Sequence, residues 1–294
     1  MDKNHLKTKI AIGTAQLGLN YGIANKTGKI SQNEMRKILK FAEKNGIDTI
    51  DTACSYGSSE KKLGQLKINN FKIITKLPIK VTKSKKQKWV FKSINTSIKK
   101  LKVKNLYGIL IHNMKQLRGN FGSKIYKELL EAKKQRLVKK IGISIYSINE
   151  LKIALNKYKF DIVSVPFNVF DQRIKKTGWL HKLKKLKIEI HARSSFLQGL
   201  LLMNKKQRPK IFQKWNKLFT KWDKIVSKSG KSRIEICLGF VLSNPEIKRV
   251  VLGFDGSKQF KELTKKINNI KNPGTESILS NDIKLINPTN WKFL

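Results

Sequence analysis

The stretch KIGISIYSINELKIALNKYKFDIVSVP, residues 140–166, decides the fold class. Its two ends, Lys140–Ser144 and Ile162–Pro166, are short runs rich in Ile and Val, as expected for strands that are covered on both faces. Between them, Ser147–Tyr158 has the spacing of apolar residues that is typical of an amphipathic helix. This order predicts two parallel strands joined by a crossover helix.

The same alternation extends along the chain in both directions, with short apolar runs followed by longer amphipathic ones. The other strand candidates are Ile10–Gly13, Thr49–Thr52, Lys72–Lys76, Leu106–Ile111, Glu189–Arg193 and Arg249–Leu252. The other helix candidates are Gln32–Lys44, Ser123–Leu137, Trp179–Leu186, Arg208–Lys228, Ser232–Leu242 and Ser257–Ile270. Ser31 precedes Glu34 at the spacing of a capping box, which predicts the start of the first of these helices.

Eight strand-then-helix units, with no linker or composition break between them, predict an α/β fold: a closed (β/α)8 TIM barrel in a single domain. We predict that residues 1–272 form the barrel and that residues 273–294 form a C-terminal tail packed on it, because Pro273 and Gly274 end the repeating pattern. In such a barrel, chemistry belongs at the carboxyl ends of the strands.

The composition places the chain among globular proteins. Hydrophobic residues make up 39% of its 294 residues, which is enough for a sizeable core. No apolar run approaches the length of a membrane span, and the polar, basic Met1–Lys9 lacks a signal core, so we predict a cytoplasmic protein without a membrane partner. Two cysteines cannot form a disulfide framework, and the four histidines lack metal-ligand spacing, so no metal is expected.

The net charge of +45 arises from 64 Lys and Arg residues against 19 Asp and Glu residues. Only eight of the basic residues are arginine, the preferred reader of bases, and the lysines are spread over every segment. This distribution indicates a solvated surface and no specific nucleic-acid partner. A polyanion-binding protein on the same scaffold stays open as an alternative. The sequence does not determine the oligomeric state.

Four chemically active side chains stand at consecutive strand ends. Asp51 ends the second strand and Tyr56 follows it, while Lys76 ends the third strand and His112 follows the fourth. A lysine ammonium lowers the pKa of a nearby tyrosine, and a carboxylate keeps that lysine charged and aimed. A neutral histidine can orient a carbonyl oxygen. Together they predict a proton donor for carbonyl reduction.

Nothing in this set supplies a hydride, so a nicotinamide cofactor is required. Lys76 also allows a second interpretation, a barrel that uses this amine as a Schiff-base nucleophile. Asp51 and Tyr56 fit a reductase better than a Schiff-base enzyme.

These residues resemble the aldo-keto reductase family, in its bacterial type. The motif consists of Asp51-Thr52-Ala53 with Tyr56-Gly57 and Glu60, then Lys76 and His112, and the likeness runs from about Ile10 to Ile270. Supporting pieces are Gly13-Thr14, Ile141-Gly142-Ile143-Ser144, Phe167-Asn168, and Ser194 with Gln198-Gly199-Leu200-Leu201. The resemblance implies an NAD(P)H-dependent oxidoreductase that acts on a small carbonyl substrate. Tyr56 would be its general acid, Lys76 and Asp51 would tune that acid, and His112 would orient the substrate.

The resemblance also implies cofactor contacts. Ser144 and the residues after the sixth strand would hold the nicotinamide carboxamide, with Ser164 in place of the usual glutamine, and Arg193 stands where an aromatic residue normally stacks on the ring. The segment after the eighth strand would meet the adenosine and phosphate end. The expected contacts are Gly13, Thr14, Ser144, Ser164, Asn168, Arg193, Ser194, Gly199, Gly253, Gly256, Ser257, Gln259 and Glu262.

Within the segment after the eighth strand, backbone amides at Ser257 would suit an anion. Gly253 and Gln259 occupy positions where Lys and Arg are common in the family, although Lys258 could substitute. NADP(H) is therefore favoured only modestly over NAD(H). A non-catalytic barrel that binds the nicotinamide as a regulator remains an alternative, although such a protein would be expected to lose one of the four active side chains.

Overall fold

The computed structural model describes residues 7–79, 88–267, 274, 275 and 277–293. All eight predicted strands are present, and every neighbouring pair is parallel. They close into a barrel in sequence order, with the first strand paired to the eighth, which confirms the predicted (β/α)8 fold. The strands are β1 (Ile10–Gly13), β2 (Thr49–Asp51), β3 (Lys72–Lys76), β4 (Leu106–Ile111), β5 (Val138–Ser144), β6 (Ile162–Pro166), β7 (Glu189–Arg193) and β8 (Ile247–Leu252).

Most helices lie in the connections between consecutive strands, and the last two follow β8. In the described ranges they are α1 (Ala15–Gly18), α2 (Gln32–Lys44), α3 (Ser59–Leu63), α4 (Trp89–Leu101), α5 (Gly119–Lys134), α6 (Ile148–Lys157), α7 (Arg173–Lys176), α8 (Trp179–Lys185), α9 (Asn216–Ser229), α10 (Arg233–Leu242), α11 (Ser257–Lys266) and α12 (Ile283–Ile286). Short 3-10 helices cover Met114–Leu117, Leu197–Leu202, Lys205–Gln207, Lys210–Trp215 and Pro288–Phe293. None of the described helices has both the length and the apolar character needed to cross a membrane.

Several helices differ from the sequence prediction. The helix predicted over Ser123–Leu137 is observed at Gly119–Lys134, and α4 was not predicted. The segment predicted as one helix over Arg208–Lys228 is a 3-10 helix followed by α9, and Arg208 itself is extended with ψ of 126°. Pro209 explains this start, because a proline disfavours helical backbone in the residue before it. For Ser257–Ile270, the α-helix ends at Lys266, and the last three positions of the predicted range lie outside the described residues.

The capping-box spacing at Ser31 is only half realised. The Ser31 hydroxyl accepts a hydrogen bond from the Glu34 amide at 3.2 Å, as an N-cap should. The Glu34 carboxylate does not return to Ser31; its Oε2 accepts a hydrogen bond from the Ser257 amide of α11 at 2.8 Å. This carboxylate therefore joins α2 to the helix that follows β8.

The described part of the C-terminal tail contacts the barrel's outer elements. The Trp215 indole donates to Asp282 at 3.0 Å, the Ser280 amide donates to the carbonyl of Phe170 at 2.8 Å, and the Gln172 amide group donates to the carbonyl of Thr275 at 3.0 Å. The boundary at residue 272 stays a prediction.

Candidate active site

The parallel register brings the predicted catalytic residues to one mouth of the barrel. Asp51 is the last residue of β2 and Lys76 the last of β3, and Asp51 is aligned with Ile74 in the adjacent strand. His112 follows the end of β4 directly, and Tyr56 lies in the loop between β2 and α3. Adjacent parallel strands thus place a carboxylate, an ammonium, an imidazole and a phenol next to each other.

The loop that carries Tyr56 is held by its own backbone. The Tyr56 amide donates to the carbonyl of Ala53, and the Ser59 amide donates to the carbonyl of Tyr56, each at 3.0 Å. Gly18 lies against this turn, and a Cβ at that position would come within 1.7 Å of the Tyr56 carbonyl oxygen. A side chain at position 18 would therefore push the loop away from the mouth.

Lys76 and Asp51 form a buried ion pair. Their Nζ and Oδ1 atoms are 2.5 Å apart, and the side chains are only 3% and 5% exposed. The Lys76 ammonium also donates to the Thr52 carbonyl at 2.9 Å and lies 4.9 Å from the centre of the Tyr56 ring. Burial alone would lower the pKa of Lys76, but the charge of Asp51, together with the hydrogen bonds of Asp51 and Tyr56, outweighs it and the pKa is raised. Lys76 is thus a fixed positive charge.

Burial sets the direction of the Tyr56 pKa. It raises this pKa above its ordinary value, while Lys76 pulls in the opposite direction and Asp51 adds to the rise. Lys76 acts on the phenol as the sequence predicts, but the net shift is upward because burial is the larger effect. Tyr56 therefore keeps its proton at neutral pH, as a proton donor must.

His112 is a neutral imidazole beside that phenol. The two rings meet edge to face, with centroids 6.1 Å apart and planes at 84°. Burial lowers the pKa of His112 to about 3, with help from the positive charges of Lys76 and Arg193. A neutral imidazole can donate one hydrogen bond to a substrate oxygen without competing as the acid.

A channel leads from these four residues to the segment after β8. It passes between the loop after β1 and the loop after β7, which touch through a hydrogen bond from the Ala24 amide to the Gln198 carbonyl at 3.4 Å. Twelve of the predicted residues line it: Gly13, Thr14, Asp51, Tyr56, Lys76, His112, Ser144, Arg193, Ser194, Gly199, Gly253 and Gln259.

The other five predicted residues lie outside the channel lining. Ser164 is buried on β6 and is paired in register with Ser144. The Asn168 side chain is used within the protein, where it donates to the Ser194 carbonyl at 3.0 Å and accepts from the amides of Phe170 and Asp171. Asn168 thus positions a neighbour that does line the channel.

The remaining three belong to the start and middle of α11. The Ser257 amide, predicted to face an anion, instead donates to Glu34. Gly256 is the N-cap residue of α11, and Glu262 is exposed on that helix. These three residues are not part of the channel lining, and their contacts with the cofactor stay predictions.

Arg193 lies in the channel on the β7 side. Its guanidinium stacks on the ring of Tyr146 with 4.2 Å between the guanidinium carbon and the ring centre, and it donates to the Ile145 carbonyl at 2.8 Å. Its Nε atom is buried and has no hydrogen-bond partner among the described residues. The cation therefore borders the space next to Tyr56 and His112.

Several lining residues were absent from the sequence prediction. They are Ala15, Gln16, Tyr21, Gly22, Ala24, Asn25, Tyr146, Ser195, Phe196, Gln198, Leu202, Val251, Phe254, Asp255 and Leu263. Most follow the carboxyl ends of β1, β5, β7 or β8, so the barrel geometry alone could have placed them near the mouth. Within the described residues, no three His, Cys, Asp or Glu side chains are grouped to hold a metal ion.

Comparison with known proteins agrees with this architecture. The model of the Aldo/keto reductase family matches residues 9–274. The fold is similar to that of the aldo-keto reductase AKR11C1 from Bacillus halodurans, with a TM-score of 0.69, 17% sequence identity and coverage of 88% of this chain and 86% of that one. It is also similar to the glycerol dehydrogenase AKR11B4 from Gluconobacter oxydans, with a TM-score of 0.66, 21% identity and coverage of 89% and 90%. No curated protein sequence matches. The chain belongs to the aldo/keto reductase family and is an oxidoreductase.

Proposed function

We propose that this enzyme reduces an aldehyde or ketone to an alcohol, with the hydride from a nicotinamide cofactor and the proton from Tyr56. The observation that carries the proposal is the meeting of a protonated phenol, a buried ammonium–carboxylate pair and a neutral imidazole at one end of the channel. Each group matches one requirement of carbonyl reduction: a proton, a positive field and a donor that orients the oxygen.

The channel is suited to a nicotinamide dinucleotide. Its lining extends from Tyr56 to the segment after β8. Buried polar atoms that lack a partner among the described residues, Arg193 Nε and Ser195 Oγ, belong to residues that line it. A ligand with carboxamide, hydroxyl and phosphate oxygens could satisfy such groups, since unpaired buried donors are costly.

When bound, the cofactor supplies a hydride to the carbonyl carbon. The carbonyl oxygen is then held between the Tyr56 hydroxyl and the His112 imidazole. As negative charge develops on this oxygen, Tyr56 gives up its proton, and the Lys76 ammonium stabilises the phenolate that remains. Asp51 holds the ammonium in place.

The cofactor contacts are proposed for the residues that line the channel. Ser144 and Arg193 stand near the acid, whereas Gly253 and Gln259 stand at the far end. Asn168 would act indirectly, by fixing the backbone of Ser194. The preference for NADP(H) over NAD(H) that the resemblance suggests stays a prediction.

The Schiff-base interpretation is less compatible with the contacts of Lys76. A Schiff-base lysine needs a neutral amine with a free lone pair. Here Asp51 and Tyr56 raise the pKa of Lys76 over the opposing effect of burial, and the Thr52 carbonyl accepts another of its protons. The ion pair favours a role as a fixed charge.

The test is the variant Tyr56→Phe, assayed with a panel of aldehydes and ketones while nicotinamide oxidation is monitored. We expect turnover to fall by about 10²–10⁴-fold, because only the proton donor is lost. Nucleotide binding, measured by fluorescence titration, should be nearly unchanged. The matched control is Tyr158→Phe, which removes a buried hydroxyl that has no partner in the described structure and lies outside the channel. Wild-type turnover by the Tyr56 variant with a chemically limited substrate would refute the assignment.

A further inference from the structure

We propose that the far end of the channel selects NAD(H) over NADP(H). In this proposal the Asp255 carboxylate accepts hydrogen bonds from the hydroxyls of the adenosine ribose. Glu34 is a second negative charge, which repels a 2′-phosphate. The inference rests on the proposed function, because it assumes that a nicotinamide dinucleotide occupies the channel. It reverses the preference that the family resemblance suggests.

The channel itself determines which part of the cofactor meets Asp255. Hydride transfer requires the nicotinamide ring beside a carbonyl held by Tyr56 and His112. The rest of the dinucleotide must then extend away from these residues. The described channel continues from them, between the loops after β1 and β7, to Gly253, Asp255 and Gln259. The adenosine half therefore lies against the segment between β8 and α11.

The charges along the channel are distributed unevenly. Its lining includes two Lys or Arg residues, Lys76 and Arg193, and both stand at the end where Tyr56 lies. At the far end the charged side chain in the lining is that of Asp255. This is unexpected in a chain with 64 basic and 19 acidic residues, where a random surface position is far more often basic. Lys258, which could have faced a phosphate, is exposed and outside the lining.

Asp255 is held in place by its backbone. Its amide donates to Oε1 of Gln259 at 2.6 Å, so the first turn of α11 fixes the position of the residue. The side chain is half-buried at the channel wall. A carboxylate in such a position accepts two hydroxyl hydrogen bonds from a ribose 2′,3′-diol, whereas NADP-binding sites commonly use an arginine at the 2′-phosphate.

Glu34 takes the place that an anion would need at the start of α11. Its Oε2 accepts from the Ser257 amide at 2.8 Å, and its Oε1 pairs with Lys37 at 2.8 Å. These bonds, with Lys37 first, lower the pKa of Glu34 to about 2, so the group is ionised at neutral pH. A 2′-phosphate carries roughly −1.5 to −2 charges at pH 7. At the start of α11 it would meet the Glu34 carboxylate, because the Ser257 amide that could have bound it already donates to Glu34.

The net charge of the protein does not cancel this local effect. Lys37, in its ion pair with Glu34, offsets part of the charge of that carboxylate. The other surface lysines act through solvent, where charges are largely screened beyond about 8 Å at physiological ionic strength. Asp255, by contrast, lines the channel itself, and Glu34 lies against the first residue of α11. Non-specific attraction of phosphates by the basic surface is removed from the measurement by working at about 0.5 M salt.

The test is a fluorescence titration of the full chain with NADH and with NADPH at that salt concentration. We expect the Kd for NADPH to exceed that for NADH by about tenfold or more. NADH gains a charge-assisted hydrogen bond to Asp255 and avoids the repulsion that the 2′-phosphate of NADPH meets. The fragments AMP and adenosine 2′,5′-bisphosphate should show the same order in competition, which gives a readout that does not involve the catalytic end.

Three variants locate the effect. Asp255→Asn should raise the Kd for NADH and lower that for NADPH, so that their ratio falls by about tenfold. Glu34→Gln keeps an oxygen that can accept from Ser257 and should improve only NADPH binding. Glu43→Gln is the matched control, because it removes one exposed carboxylate from α2, which also carries Glu34, away from the channel, and it should change neither Kd.

The failures of the two proposals are distinguishable. If NADPH binds wild-type protein as tightly as NADH, or if Asp255→Asn leaves their ratio unchanged, the charge selection is refuted and the reductase proposal stands. If neither dinucleotide shows saturable binding, both proposals fail.

Discussion

The ammonium of Lys76 lies 2.5 Å from the carboxylate of Asp51, and the two side chains are the least exposed of the ion pairs in the described structure. The pair sits at the carboxyl ends of neighbouring strands, so the barrel itself determines its geometry. The remaining ammonium face lies against the Tyr56 ring. A charge placed in this way acts on the phenol without solvent between them.

We expect Asp51→Asn to destabilise the fold as well as the reaction. Removal of one partner leaves the Lys76 ammonium buried without compensation, which costs about 3–5 kcal/mol in the free energy of unfolding. Urea denaturation measures this loss. Lys37→Gln serves as the control, because its pair with Glu34 has side chains that are 62% and 32% exposed and should be worth at most about 1 kcal/mol. Equal losses in the two variants would show that the buried pair does not contribute in this way.

The pH dependence of turnover follows from two pKa shifts of opposite sign, upward for Tyr56 and downward for His112. Tyr56 must be protonated to act, and burial raises its pKa, so activity in the direction of reduction is retained at neutral pH and is lost only as pH rises above the ordinary tyrosine value of about 10. Burial, with Lys76 and Arg193, lowers the pKa of His112 to about 3, so the imidazole does not titrate near neutrality. We expect kcat to show no break between about pH 5 and 9. An inflection near the ordinary histidine value of 6.5 would contradict the neutral role of His112.

The contact between the loops after β1 and β7 depends on Gly199. Its φ is +90°, and a Cβ there would lie 2.4 Å from the Cβ of Ala24. Gly199→Ala should therefore separate the loops and weaken dinucleotide binding several-fold. Gly178→Ala is the matched control, with φ of +75° and no atom within 4 Å of the added Cβ.

Both alanine variants should lose roughly 1–2 kcal/mol of stability from the left-handed backbone. Only the Gly199 variant should change the dinucleotide Kd in a fluorescence titration. If both variants bind as the wild type does, the loop contact has no part in holding the cofactor.

The sequence was sufficient for the strands because most are short runs rich in Ile and Val. It also predicted that Asp51, Tyr56, Lys76 and His112 lie at one mouth, because parallel strands end at one edge. It was insufficient for α4. This helix begins after Lys88, which has φ of 80° and offers no side-chain cap, so the usual start signal is missing. The hydrogen-bond partners of Ser257 and Asn168 could not be predicted from the sequence either. Glu34 satisfies Ser257 from 223 residues away, and only the folded barrel reveals that contact.

Arg193 stands where the family resemblance places an aromatic residue against the nicotinamide. The oxidised ring carries a positive charge and the reduced ring does not. A guanidinium held beside the ring by Tyr146 and the Ile145 carbonyl should therefore disfavour the oxidised cofactor. An aromatic residue would attract the same cation through its ring face.

We expect Arg193→Tyr to tighten binding of the oxidised dinucleotide relative to the reduced one by roughly tenfold, measured by titration of both oxidation states. Arg193→Lys retains the charge while losing the planar stack, so it should keep the wild-type ratio of the two Kd values. If the tyrosine variant also keeps that ratio, the guanidinium does not act on the ring. If both variants shift the ratio equally, the stacking on Tyr146, and not the charge, controls the redox preference of the site.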